Sequence, residues 1–438
     1  MRAYFLKKTK SGIDFLVNGY RKGVFLLLFR LLFSILYVKI VAIMETMLKK
    51  KKYSLTLTAC YVGYVIQAMV NNLSPLLFVQ FKRQFGLTSS ELSLVIFINF
   101  GLQIIVDSLS AKITEKIGYR AGSIAAQIFS ATGLVCLGVL PNVINPFAGI
   151  IVATVLMAIG GGFVEVILSP VIEALPLGNK SGAMCFLHSF YCWGHIFTVL
   201  IATLYFNVFS IEAWRYLPVV LAAIPLLNCI TFAVCPIETL EGDETPSSYK
   251  SMFTAKGFWL FPLLILAGGA AEQAIAQWAS DFAEIGLGVD KTLGDIFGTC
   301  LFALGMALSR TVYGFLGDKI DLKKAFVICG ALLTGAYLLA ALAPFAGLSL
   351  AGIALGGVFV GLLWPGLYAV AGRTYPNGGT KMFGVLALFG DVGCTLGPTL
   401  AGLVSSDIKT GILFATIFPV IVLVCSIILL RQSKIKQN

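Results

Sequence analysis

Charge is scarce in this sequence. Of its 438 residues, 12% are Asp, Glu, Lys or Arg, where a soluble protein carries about 25%. That shortage argues against a chain whose surface lies mostly in water. Histidine is scarcer still. His188 and His195 are the only two, and no H-E-x-x-H frames them, so an intramembrane metalloprotease is not expected. No G-x-x-x-x-G-K-[ST] is present, so ATP does not drive the chain directly. Gly160–Gly162 are no nucleotide loop, because they lie inside an apolar run of lipid-crossing length. The ten cysteines form no C-x-x-C pair and sit within or beside apolar runs. Neither a disulfide framework nor a zinc site is indicated. No metal, no cofactor and no enzymatic activity are expected.

Apolar residues are abundant: 58% of the chain, gathered in runs that are apolar on every face. Runs of about twenty such residues belong in lipid, where each backbone N–H and C=O must be satisfied inside its own helix. The sequence therefore predicts an all-α membrane protein. Spans are expected at 53–80, 90–111, 121–141, 147–174, 183–208 and 214–236, then at 257–280, 293–316, 324–345, 348–372, 382–404 and 410–430. This gives an N-terminal six-helix bundle over 47–236, a polar cytoplasmic linker over 237–256, and a C-terminal six-helix bundle over 257–438.

The net charge is +11, but the Lys and Arg residues gather on no one face or domain, so no nucleic-acid partner is expected. They sit at the ends of apolar runs. With the first span entering from the cytoplasm, inside segments hold Lys49 to Lys52, Lys112, Lys116, Arg120, Lys180, Lys250, Lys256, Lys319, Lys323, Lys324, Arg373, Lys381, Arg431, Lys434 and Lys436. The outside loops hold only Lys82, Arg83, Arg215, Lys291 and Lys409. The positive-inside rule then puts both termini in the cytoplasm of a multi-pass cell-membrane protein.

Residues 1–46 read as an extension. Gly23 to Ile43 is apolar but interrupted by Arg30 and Lys39. It reads as an extra hydrophobic span, an interfacial helix, or sequence ahead of a start at Met47. No small-residue cleavage site follows, which argues against a signal peptide.

The two halves echo each other. Ala111, Glu115, Lys116, Gly118 and Arg120 correspond to Gly314, Asp318, Lys319, Asp321 and Lys323 at a constant offset of 203 residues. Gly161, Gly162 and Pro170 correspond to Gly356, Gly357 and Pro365 at an offset of 195. Phe190 and Gly194 correspond to Phe389 and Gly393 at 199.

The loop pattern resembles the signature loop of the major facilitator superfamily, over about residues 50–435. It departs at Asp321, where the family usually has Gly, and at Ala111 and Glu115. The resemblance implies twelve transmembrane helices in two pseudo-symmetric bundles that rock about a central cavity. Acids in such loops meet basic residues or helix N-termini only while one gate is shut. Glu115, Lys116, Arg120, Arg310, Gly314, Asp318 and Lys319 are therefore expected to gate. The competing reading is a tight turn with topology-setting charges.

An ionised side chain at mid-bilayer costs about 2.5–3.5 kcal/mol on insertion scales, so those that remain tend to carry function. They are Asp107, Glu165, Glu272, Arg310 and Asp391. Glu165 stands out, because its mate at offset 195 is the neutral Val360. A carboxyl here can bond hydroxyls or take up a proton. Asp391 is open to three readings: a second protonation site, a partner for Arg310, or a cap in a glycine-broken helix.

Gly161 through Pro170 looks like the fucose permease type of sugar–proton symporters, where a Glu holds the position of Glu165. Asn71-Asn72-Leu73 followed by Leu76, Leu77, Gln80 and Phe81 is similar to the same group. That group has a proton-coupling Asp two residues after Leu73, where this chain has Pro75. His188 falls about where the group has a substrate-facing Gln; His195 reads as packing.

Gln273 and Gln277 share a helical face, as do Trp364 and Tyr368. Amides bond hydroxyls and indoles stack on sugar faces, although aromatic residues at this spacing also serve plain packing. The candidate substrate-binding or proton-coupling set is Glu165, His188, Asn71, Asn72, Gln273, Gln277, Trp278, Trp364 and Asp391. The reading is a secondary active transporter of a sugar or similar small polar solute by alternating access, coupled to protons or another ion. A monomer in the lipid bilayer is expected. An exporter of multidrug or toxic compounds, and a non-transporting membrane sensor, remain alternatives.

Overall fold

The computed structural model describes residues 53–177, 180–237, 253–254, 257–316, 320–375, 379–404 and 407–435. The expected extension, most of the linker, Asp318, Lys319 and the side chain of Glu115 lie outside the described residues. The chain divides into two compact units. One comprises Met1–Ser54 with Pro176–Asn179, of which four residues are described. The other, Leu55–Leu175 with Lys180–Asn438, carries the architecture that follows.

Twelve helices are long and apolar enough to cross a membrane, and no strand occurs among the described residues. They are α1 Ser54–Phe85, α2 Ser89–Leu109, α3 Lys116–Asn142, α4 Pro146–Ala174, α5 Phe186–Phe209 and α6 Tyr216–Val234 in the first half. The second half has α7 Leu260–Gly286, α8 Lys291–Tyr313, α9 Leu322–Leu342, α10 Ala346–Thr374, α11 Gly384–Val404 and α12 Ile408–Gln432. In α1 and α7, 89% and 83% of the apolar window is buried inside the protein, against 39% in α6 and α9. The first pair is therefore central and the second faces lipid. The start of α1 and the end of α12 lie at one end of the layer. We call it the basic end, since Lys116, Arg120, Lys324 and Arg373 gather there. The opposite end is the far end.

Local chemistry sets the boundaries. Pro75 opens a 3-10 turn over Pro75–Leu77 inside α1, because its ring removes a donor and clashes with the preceding turn. Thr88 caps α2 in a reciprocal box: its hydroxyl accepts from Glu91 N at 3.2 Å, and the Glu91 carboxylate accepts from Thr88 N at 2.8 Å. The helices of the second and third spans join across a kink at Gly118, where φ is 83°. That left-handed backbone suits glycine alone, which explains the Gly of the first loop pattern. In the second loop Asp321 takes the equivalent place. Its carboxylate accepts from Lys324 N at 3.3 Å and pairs with Lys324 Nζ at 3.0 Å, capping α9. The bond from the Lys324 side chain holds Asp321 below the usual carboxylate range.

Within the second half, α11 lies backbone against backbone on α7. A Cβ on Gly393 would sit 2.0 Å from the Leu266 carbonyl oxygen, and one on Gly397 2.2 Å from that of Ala270. Small residues four apart permit this approach in lipid. Among the described residues the two halves meet along several helix pairs. Gln277 of α7 reaches Asn72 of α1, Gly402 of α11 abuts Ser93 of α2, and Arg310 of α8 reaches Cys192 of α5.

At the far end the halves are bolted together by charge. Lys82 Nζ lies 2.7 Å from Asp281, and Arg83 lies 2.8 Å from Glu284. Lys291 pairs with Asp295 at 3.1 Å and donates across the interface to the Leu76 carbonyl at 2.7 Å. Asn207 donates to Thr292 at 3.2 Å.

Candidate functional site: a polar layer between the halves

Glu165 lies nine residues before the basic end of α4, about 14 Å in at the helical rise. Its Oε2 accepts from Gln67 Nε2 of α1 at 2.7 Å. Gln67 is one turn from Tyr64, whose hydroxyl lies 3.1 Å from Ser169 of α4. The glycines before Glu165 let α2 come close: a Cβ on Gly162 would lie 3.0 Å from Asp107 Oδ1. Asp107 lies within electrostatic reach of Asp391 of α11. Tyr368 of α10 lies within electrostatic reach of both Asp391 and Glu165. Trp364 stacks on Tyr368, 6.2 Å between ring centres, and rests against Gly390. Three carboxyls from α2, α4 and α11 thus share one layer with Tyr64 and Tyr368.

Open space reaches this layer. His188 meets the ring of buried Tyr64 edge-on at 5.3 Å and lies within electrostatic reach of Arg310 in the other half. Yet His188 is exposed.

Toward the far end a chain of amides crosses the interface. Asn99 and Gln103 donate to Asn71 Oδ1 at 3.3 and 2.9 Å. Asn72 donates to Tyr191 at 3.4 Å. Gln277 donates to Asn72 Oδ1 at 3.4 Å and to Gln273 Oε1 at 3.1 Å, and Gln273 donates to Glu272 at 3.4 Å. Arg310 ends the chain: Nη2 reaches Glu272 at 3.0 Å, Nη1 reaches Cys192 Sγ at 3.3 Å, and Nε reaches the Gly361 carbonyl at 3.4 Å. Such a network polarises its members and is costly to leave half-satisfied.

The structure separates the sequence-predicted residues into groups. Glu165, His188, Asp391 and Trp364 surround the open layer. Asn71, Asn72, Gln273 and Gln277 are buried and spend their amides on one another and on Asn99, Gln103, Tyr191 and Glu272. Trp278 corrects the expectation of a solute-stacking indole. It is fully buried, donates to the Pro398 carbonyl at 2.8 Å, and packs on Phe78 under the Lys82 ammonium. Arg310, grouped with the gating loops on sequence, is an interior partner of Glu272. Arg120 donates to the Phe232 and Ala233 carbonyls, each at 2.8 Å, so it caps α6 within its own half. Lys116 is exposed and Gly314 lies within the helix Leu301–Leu316. His195 is sealed, apart from His188, and its Nε2 has no hydrogen-bond partner among the described residues. No group of three or more His, Cys, Asp or Glu among the described residues is placed to hold a metal.

Sequence reasoning did not single out Gln67, Tyr64, Ser169, Tyr191 or Cys192. Gln67 had a signal: it precedes Asn71 by one turn on the same face.

The sequence profile of the Major Facilitator Superfamily matches residues 60–300 and 281–437. No curated protein sequence matches the chain. Among solved structures, a bacterial homologue of the human lysosomal transporter Spinster, inward-facing and occupied, is similar with a TM-score of 0.69 and 15% identity. That match covers 88% of this chain and 98% of the homologue. The E.coli fucose:proton symporter FucP is similar at 0.60 and 16%, covering 86% of this chain and 98% of its own. These likenesses speak for the fold. The profile matches span most of the sequence, the twelve helices form two six-helix halves around a shared polar layer, and the chain belongs to the major facilitator superfamily.

Proposed function

We propose that this protein is a proton-coupled secondary transporter of a small polar solute of the sugar type, working by alternating access from the cell membrane with both termini in the cytoplasm. One observation carries the reading: the Glu165 carboxyl accepts from Gln67 one turn from Tyr64, whose ring meets the exposed His188. A carboxyl in lipid-depth protein is costly unless it meets water, a partner or a ligand. Here it lies where a solute entering from the basic end meets both halves. Glu165 accepts from solute hydroxyls or holds a proton. His188 and Tyr64 supply further donors, and Trp364 with Tyr368 offers a flat apolar wall. The fucose:proton symporter among the similar folds is consistent with this chemistry.

A second reading has its own observation. Tyr61 stacks on Phe190 at 4.7 Å, with Phe186 at 6.1 Å, beside the carboxyl layer. Aromatic faces with nearby acids suit an amphipathic cation, the cargo of an exporter.

The two separate in proteoliposomes. Sugar counterflow, and sugar accumulation driven by an imposed pH gradient, support the first. Both should fall at least about tenfold in Glu165→Gln if about 1.4 kcal/mol of binding or coupling is lost. Absence of sugar competition alongside uptake of lipophilic cations replaces it with the second. Sugar transport unaffected by Glu165→Gln contradicts the assigned site.

A further inference from the structure

A cavity of about 530 Å³ lies at the far end, away from the carboxyl layer. Both halves wall it: Arg83 of α1, Phe206 of α5 and Glu212 of the following loop on one side, Glu284 of α7 with Asp290 and Lys291 at the start of α8 on the other. Its size falls within the roughly 300–1,000 Å³ of small-molecule sites.

The helix that supplies Glu284 does not end regularly. Leu287 N donates to the Phe282 carbonyl five residues back, at 2.9 Å, so Phe282–Gly286 forms a π turn. Such turns recur at functional sites. The Glu284 side chain is 9% exposed. Its Oε1 lies 2.8 Å from Arg83 Nη1, while its Oε2 has no hydrogen-bond partner among the described residues. A buried acceptor without a donor is costly, and this one belongs to the cavity wall. The neighbouring ammonium cannot serve it. Lys291 has three N–H groups, and they go to the Leu76 carbonyl at 2.7 Å, Asp295 at 3.1 Å and the Ser280 hydroxyl at 3.2 Å. Asp290 spends Oδ1 on the N–H groups of Thr292 and Leu293, at 3.0 and 3.4 Å. With Arg83 paired to Glu284 and Lys291 to Asp295, the exposed Asp290 and Glu212 leave the wall net negative. The turn that carries Glu212 is strained: Ser210, in the same wall, has φ 70° and accepts from Glu212 N at 3.3 Å. Ser210 is the one non-glycine residue at positive φ among the described residues, and such strain persists only where the surroundings impose it.

We infer that this cavity binds a small primary ammonium compound, which donates an N–H to Glu284 Oε2 and whose charge is balanced by Glu212 and Asp290. Both halves wall the cavity, so the occupant loses contacts when they part there. Its binding therefore favours the closed far end. The inference does not rest on which solute crosses through the central layer.

The test uses the purified full chain in nanodiscs of neutral lipid, with n-propylammonium as the probe. Calorimetric titration at low salt should show saturable binding. Glu284→Gln, which keeps an acceptor for Arg83 but loses the charge, should weaken it at least about tenfold. The exposed Glu212→Gln should weaken it about two- to fivefold. Glu165→Gln should leave it unchanged. 1-Propanol lacks the charge and tetramethylammonium lacks the N–H donors, so neither should displace the probe. Spin labels on Val143→Cys and Phe345→Cys, both exposed at the far end, read closure with native cysteines other than Cys192 replaced. Lys82→Ala should lengthen the distance between them, and the probe should shorten it again. Absence of saturable binding, displacement by either control, or an affinity unchanged in Glu284→Gln overturns the site. So does an affinity indifferent to Glu212→Gln, which keeps the test decisive if the buried variant does not fold. A loss in Glu165→Gln rather than Glu284→Gln puts the cation in the central layer and overturns the site as well. Labels that the probe does not draw together overturn the link to closure.

Discussion

The Lys82 ammonium lies 2.7 Å from the Asp281 carboxylate, which is fully buried, and the pair joins α1 of one half to α7 of the other. Removing one partner of a buried pair costs about 3–5 kcal/mol, because it strands the other charge. Lys82→Ala is therefore expected to weaken the closed far end more than Lys82→Ala with Asp281→Ala together. Labels at the exposed Val208 and Leu293 read this as a longer distance in the single variant than in the double. Equal distances would mean the pair is not what holds the end shut.

Arg310 serves three acceptors at once: the Glu272 carboxylate, the Gly361 carbonyl and the Cys192 sulfur. A lysine ammonium lacks the planar fork that spans them. Arg310→Lys should keep the fold and lose transport by at least about tenfold, equivalent to about 1.4 kcal/mol. Glu272→Gln should lower thermal stability more than Arg310→Met with Glu272→Met, since only the former leaves a buried cation unbalanced. Thermal unfolding in detergent checks the order.

The close seam of α11 on α7 makes a sharper structural prediction. Gly397→Ala must push a methyl into the Ala270 carbonyl, where 2.2 Å is available, at a cost of about 1–3 kcal/mol. Gly335→Ala meets nothing within 4 Å and gains helix propensity of up to about 1 kcal/mol. The first should lower the melting temperature and the second leave it level or raise it.

Asp321 gives a pH dependence outside the membrane layer. Its folded carboxyl is held below the usual range by Lys324. Its stabilising contribution is thus present above the unfolded value of about 3.9 and fades as pH falls through the folded one. The carboxylate is about half exposed, so the ion pair adds little and the cap supplies most of an effect of about 1 kcal/mol. The melting difference between the native chain and Asp321→Ala should be seen at neutral pH and shrink in acid.

Much of the fold was legible because lipid imposes one rule on every span, and twelve runs obey it. Glu165 was legible for the same reason: an acid inside such a run stands out. Gln67, Tyr64 and Ser169 did not, since an uncharged polar residue costs a span little and appears in ordinary packing too. Lys82, Arg83 and Lys291 looked like loop charges from their place at run ends. Only the approach of α1 to α7 and α8 reveals that they close the far end. Pro75 marked a departure from the fucose permease group, but not its result, a 3-10 turn ahead of Lys82. The Gln67–Glu165 bond joins residues 98 apart, beyond any local pattern.

Sided labelling of Glu165→Cys, in a cysteine-free background reconstituted into oriented vesicles, probes the shared gap directly. A membrane-impermeant thiol reagent should modify it from the basic-end side, and from the far side once Lys82→Ala has released the outer ion pair. A thiol that neither side reaches, with or without that release, would contradict an acid bordering a passage between the halves.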